Sequence, residues 1–341
     1  MIELIKDALV FTFPEVHPAA RLTVTFQRTL RIPDDGREYP LPPGLGTFHM
    51  RHVDDHAATL PPAWLRHGGV MLPIHQAEAL WIDFDSARID HHETPYPFAV
   101  KVACGKIDAL SGERWTTVLR RRPGQNYLVV PEQPWLDGYC VDKGTIRQFV
   151  AMPLGAGYSA EEQLTGRADS GGIQIQVMPM RREVFNRRFP YRYPESTPRT
   201  PMFVTESPCE YGMGLAPGGR MRQEVAEDPY RLADWERKQR SRCFVHLANA
   251  RQWSQITGEQ PPATPVTAMA YTAAGLPWFS WYDETITALP GSKKLARLKS
   301  VAAMGRKKHR RPLPDNQTVK PQPVLQLHPK REPEQVREMK S

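Results

Sequence analysis

The chain has 341 residues, 40% hydrophobic and 24% charged, enough material for a buried core in one large or two medium domains. Its 34 prolines are about twice the usual share of roughly 5%, which argues against long uninterrupted helices. The net charge of +8 is uneven: Lys293 to Lys340 hold 14 Lys and Arg against four acids, whereas residues 1–292 carry 31 bases against 33 acids.

From the N-terminus, Met1 to Asp7 mixes charges and lacks the basic start and apolar run of a signal peptide. Leu22, Val24 and Phe26 alternate with Thr23, Thr25 and Gln27, and Leu30 and Ile32 extend the pattern; this period of two predicts a strand with one buried face. Arg28 interrupts that face, which suggests a sheet edge. Similar runs follow at Leu80 to Phe84, Phe98 to Val102, Tyr127 to Val130, Ile146 to Met152 and Ile173 to Val177, separated by breakers such as Pro33-Asp34-Asp35-Gly36 and Pro123-Gly124. Ser159 and Glu162 form a capping box that predicts a short helix ending near Gly166.

Residues 181–201 change character, combining six arginines with Phe185, Phe189, Tyr191, Tyr193 and four prolines, and read as a connection between lobes. Its composition also suits nucleic-acid contact, with guanidinium for phosphate and rings for stacking, but the preferred reading is a partly buried linker with rings packed on the body and arginines solvated. Beyond it, helices are predicted over Asp228 to Gln239, Asn249 to Gly258 and Thr267 to Gly275, with a strand at Cys243 to Leu247. The uncharged stretch Gln260 to Tyr282 contains Pro261, Pro262, Pro265, Gly275 and Pro277 and does not read as a membrane span. Its end, Trp278 to Tyr282, is the densest aromatic cluster and reads as core or as a clamp between lobes. In the tail, Ser292 caps a helix with the apolar stripe Leu295, Leu298, Val301 and Ala302, after which a Pro-rich polar segment is expected to be disordered.

The sequence therefore predicts an α+β, β-dominated fold: an antiparallel sandwich or barrel-like lobe over residues 1–180, a mixed lobe over 202–290 and a basic tail over 291–341. Cys104, Cys140, Cys209 and Cys243 are widely spaced with no CxxC, so neither a zinc knuckle nor a disulfide scaffold is indicated, and a reducing cytoplasm is the expected setting.

Two groups of candidate site residues stand out. Arg306, Lys307, Lys308, Arg310 and Arg311 form a basic run suited to nucleic-acid phosphates or an anionic surface. Seven of eleven histidines lie between His49 and His92, and His52 and His56 would share one face if that segment were helical. In the metal reading a third ligand comes from His75, Glu78, His91, His92 or Glu93, with no spacing that selects among them. The bland reading of these histidines is a polar surface turn. Gly157-Tyr158-Ser159 lacks the second glycine of a nucleophile elbow, and Gly105-Lys106-Ile107 is no P-loop. Gly155-Ala156-Gly157 could face an anion or form an ordinary tight turn.

The segments Gln148 to Tyr158, Glu162 to Gly166, Ile173 to Pro179 and Gly275 to Phe279 resemble a bacterial protein family of unknown function, sometimes labelled as membrane proteins. The resemblance covers roughly residues 1 to 303, excludes the tail and implies no catalytic residues. The functional expectation is a soluble binding or scaffold protein without a cofactor, contacting other proteins through its body and polyanions through its tail. The alternative is a metal-dependent β-sandwich or barrel enzyme built on His52, His56 and His75.

Overall fold

The computed structural model describes residues 1–86, 95–190, 213–281, 287–311, 313 and 316–327. Strand accounts for 37% and helix for 17%, so the fold is α+β and β-dominated. The strands are β1 (Ile2–Ile5), β2 (Ala8–Thr12), β3 (Arg21–Thr29), β4 (Glu38–Tyr39), β5 (Gly44–Thr47), β6 (Arg51–His52), β7 (Val70–Ile74), β8 (Ala79–Ser86), β9 (Phe98–Cys104) and β10 (Ile107–Asp108). They continue as β11 (Leu128–Val130), β12 (Trp135–Leu136), β13 (Gly138–Asp142), β14 (Thr145–Pro153), β15 (Ile173–Pro179), β16 (Met213–Arg222), β17 (Ser241–Asn249), β18 (Trp278–Trp281) and β19 (Val324–Leu327). The helices are α1 (Pro62–His67), α2 (Ala160–Thr165), α3 (Arg182–Arg188), α4 (Ala250–Thr257), α5 (Ala268–Ala273), α6 (Lys293–Ala296) and α7 (Val301–Lys307).

The larger sheet runs β1-β2-β3-β8-β14-β16-β4, with β5, β12 and β13 paired alongside. The smaller runs β10-β9-β15-β17-β7-β6, with β11 paired to β9. Neither is a closed barrel. Most pairs are antiparallel, but β4 joins β16 and β7 joins β17 in parallel. Leu22, Val24 and Phe26 of β3 point into one core shared with Val100, Val102, Ile173, Ile175 and Val245 of the other sheet, as the alternation predicts. The smaller sheet is covered on its outer face too: Trp64 of α1 and Trp253 and Ile256 of α4 pack against Met71 and Ala248.

The boundary expected near residue 180 does not divide the sheets. β16 lies between β14 and β4, and β17 lies between β15 and β7, so the segment after residue 202 contributes a strand to each sheet. Long-range pairing of this kind leaves no local signature, since Val245 pairs with Val70. Nor is β3 an edge strand. Arg28 is tolerated there because its Nε donates to Glu78 Oε1 at 2.6 Å, a carboxylate otherwise buried without a countercharge.

The capping predictions hold in detail. Ser159 and Glu162 exchange hydrogen bonds at the start of α2, and Gly166 closes it in the left-handed region at φ 71°. Asn249 and Gln252 do the same for α4, and Gly258 ends it. The helix expected over Asp228 to Gln239 shrinks to one 3-10 turn, Leu232–Asp234. Tertiary hydrogen bonds win there: the buried Asp228 carboxylate accepts from Tyr127 Oη and, at 3.0 Å, from Trp235 Nε1, while its backbone N–H donates to Gln125. Among the described residues, no helix is long and apolar enough to cross a membrane.

The tail departs most from expectation. Its apolar stripe is real, with Leu295, Leu298 and Val301 buried, but the helix breaks into α6, capped by Ser292, and α7, capped by Ser300. Between them Gln163 of α2 grips the backbone of Lys299 by both donor and acceptor. Residues 316–327 return to the body, where β19 lies parallel to β18 and Val319 is buried. The aromatic cluster anchors this return: Trp278 is fully buried, and Trp281 meets Trp135 edge-on at 5.1 Å.

Candidate functional site

The basic run at 306–311 is held in place by what precedes and follows it. Val301 and Met304 of α7 pack on Ala79, Val150, Met152, Tyr158 and Ala216, the outer face of the larger sheet. The Ala302 N–H donates to Asp34 Oδ2 at 2.8 Å, tying the first turn of α7 to the loop after β3. His309 adopts φ 51°, and the Arg310 N–H returns to the carbonyl of Gly305 at 2.9 Å, which turns the chain back across the end of the helix. Asn316 then pairs with the backbone of Asp34, accepting at 2.7 Å and donating at 3.3 Å. Thr318 Oγ1 donates to Asp35 Oδ2 at 2.7 Å. Burial raises the Asp35 carboxyl, but the hydrogen bonds from Thr318, the Arg37 backbone and Tyr39 outweigh it and hold the group below its ordinary range.

These anchors enclose a cleft of about 820 Å³. Its rim carries Arg306, Lys308, Arg310 and Arg311, all exposed, and Arg31, only 8% exposed, lies on its wall. Among the described residues lining it there is no carboxylate. Lys307, the remaining base of the run, is exposed but does not line the cleft. Lys308 is committed to the wall: its Nζ donates to the Ala156 carbonyl at 2.6 Å and sits 5.6 Å from the centre of the Tyr158 ring. This approach requires glycine at 157, where a Cβ would fall 2.6 Å from Lys308 Nζ and the backbone holds φ 74°.

The turn Gly155-Ala156-Gly157 shapes the cleft without serving as an anion nest through Gly157. That N–H donates to Glu162 Oε1 at 2.6 Å, and Ser159 N–H to Glu162 Oε2 at 3.0 Å, so the capping box has taken these donors. Sequence reasoning found the basic run but not Arg31, Tyr158, Met152 or Leu313, which are among the residues that make it a cleft. Only the fold brings them to it.

Among the described residues, His49, His52, His56 and His75 do not assemble into a metal site. His52 ends the two-residue strand β6 and is exposed, while His56 ends a 3-10 turn, Asp54–His56, and is buried, so the expected pair on one helical face is not formed. A ring nitrogen of His75 lies 2.7 Å from the Pro262 carbonyl, on a different loop. His49 pairs with Asp7 at 2.8 Å. Among the described residues, no three His, Cys, Asp or Glu stand where they could hold a metal ion. His91, His92 and Glu93, like Arg192, Arg199, Tyr191, Tyr193, Cys209 and Tyr282, lie outside the described residues. In the described part of the arginine-rich connection the apolar side chains pack inward, with Phe185 of α3 buried 4.4 Å from the Tyr96 ring, while Arg181, Arg182, Arg187 and Arg188 stay exposed.

Several perturbed titratable groups elsewhere sit in the interior. Burial depresses Lys101 and raises Asp108, a pair with Nζ 3.4 Å from Oδ2 beneath the Trp115 ring. Burial also pushes His246 down to about 3, stacked on Trp64 at 4.4 Å. Compared with known proteins, the chain matches no family model, no curated protein and no solved structure.

Proposed function

We propose that this is a binding protein whose basic cleft holds nucleic acid through its phosphates, with the β-rich body as the scaffold that shapes the cleft. The observation that supports this reading is the convergence of Arg306, Lys308, Arg310 and Arg311 with Arg31 on one cavity whose described lining includes no carboxylate. Cations gathered around a concavity attract phosphates more strongly than the same charges on a solvated chain, because each phosphate meets several at once. Other proteins are the expected partners of the body, and no cofactor is part of the reading. The metal-enzyme alternative gains no support from His52, His56 and His75, whose side chains point to separate surroundings.

The test is anisotropy of a labelled single-stranded oligonucleotide at low salt, with the full chain and with Arg310→Ala/Arg311→Ala. The reading expects weaker binding by the variant at unchanged melting temperature. Equal binding by both proteins would sink it.

A further inference from the structure

The short helix α5 is turned inside out. Its polar side chains are satisfied on the inner side: Tyr271 Oη donates to the Pro277 carbonyl at 2.9 Å, and Thr272 Oγ1 accepts from the buried Trp278 Nε1 at 3.1 Å. Ala268 is buried, whereas Val266, Met269, Ala270, Ala273, Ala274 and Leu276 are exposed. A surface helix normally does the reverse, so an outward apolar stripe is the mark of a contact surface. The exposure is large where it matters, at 52% for Val266, 49% for Met269 and 45% for Leu276.

Nine large hydrophobic side chains are exposed among the described residues, and five of them lie in two segments, 266–276 and 324–327. Those segments meet at Trp278, which bonds to Thr272 of α5 and pairs with Val324 of β19. Single exposed hydrophobics are ordinary, but five around one tryptophan are not.

The occupant follows from the lack of charge. Neither 260–281 nor 321–327 contains an acidic or basic residue, although 24% of the chain is charged. A partner of different sequence is commonly steered by complementary charge, which this surface does not supply. A second copy meets the opposite condition, because twofold contact sets a patch against itself and any charge near the axis against its like. Ala270, Ala273 and Ala274 let two such helices approach closely, with Val266, Met269 and Leu276 filling the sides. The strand β19 adds an edge: among the described residues it pairs only with β18, and an open edge can pair antiparallel with its own copy about a twofold axis.

We infer that this uncharged surface is the contact between two copies of the chain, joined about a twofold axis through α5 with β19 beside it. None of its residues lines the basic cleft, so the inference goes beyond phosphate binding and does not rest on it.

The experiment is the mass of the full-length protein in solution by sedimentation, from about 1 to 100 μM, with Met269→Glu/Leu276→Glu and Met269→Lys/Leu276→Lys alongside. The unaltered chain should approach twice 38.8 kDa as concentration rises, and each variant should remain at 38.8 kDa with an unchanged circular dichroism spectrum. Mixing the two variants in equal amounts should restore the doubled mass, an outcome that a folding defect could not give. An unaltered chain that stays at 38.8 kDa throughout would overturn the inference. So would a doubled mass that both variants retain, since the contact would then lie elsewhere. A monomer that instead floats with phosphatidylcholine vesicles, and ceases to do so on Met269→Glu/Leu276→Glu, would assign the stripe to a lipid surface and likewise overturn it.

Discussion

Neutralising two cations should change the salt dependence of binding by an amount that can be worked out in advance. Arg306, Arg310 and Arg311 are the exposed rim guanidiniums, whereas Lys308 is tied to the Ala156 carbonyl. Each phosphate contact with a single strand contributes about −0.7 to the slope of log K against log salt, so three give about −2. Between 50 and 200 mM salt that slope weakens binding about twentyfold, and Arg310→Ala/Arg311→Ala, with a slope of about −0.7, should weaken only about threefold. Both side chains are exposed, so stability should change by no more than about 0.5 kcal/mol. Anisotropy titrations across that salt range measure both slopes. A double variant that keeps the full slope would place the phosphates elsewhere and refute the assignment of these residues.

Two further predictions concern the scaffold. Asp137 is buried, and desolvation pushes its carboxyl up to about 7 although Trp135 hydrogen-bonds it. Since the ordinary value is about 3.9, folding takes up a proton between these pH values, and stability should fall as pH rises through about 7. Asp137→Asn should remove that loss and raise stability at pH 8 by about 2–4 kcal/mol, with little gain at pH 4, as read by urea unfolding at both. Arg28→Met should cost about 3–5 kcal/mol by leaving Glu78 buried without its partner, and adding Glu78→Gln should recover most of it; a double variant no more stable than Arg28→Met alone would contradict the pairing.

The parts of the fold legible in the sequence are those set by neighbours in the chain. Ser159 with Glu162 and Asn249 with Gly258 place helix ends within one turn, and the alternation of Leu22, Val24 and Phe26 marks the buried face of β3. What was hidden depends on partners far away. Arg28 reads as an edge signal until Glu78 is seen beside it, and Asp228 reads as helical until Tyr127 and Trp235 claim its carboxylate. The site divides in the same way. The run from Arg306 to Arg311 is plain in composition, but its floor comes from Met152 and Tyr158 and its far side from the returning chain at Leu313 and Asn316. The expected helical face shared by His52 and His56 is not formed, because their segment is a strand end followed by a 3-10 turn.

The central claim is that binding belongs to a built cleft rather than to charge density on a tail, and ending the chain after Arg311 tests it most directly. Residues 312–341 carry five bases and four acids, so their removal takes away a net charge of only +1 and leaves Arg306, Lys307, Lys308, Arg310 and Arg311 in place. It does remove Leu313 and Asn316 from the cleft and the clasp of Asn316 on Asp34. The cleft account predicts that the shortened protein binds the single-stranded oligonucleotide about tenfold more weakly than the full chain at the same low salt. Undiminished affinity in the shortened protein would contradict it and return the activity to the charged run alone.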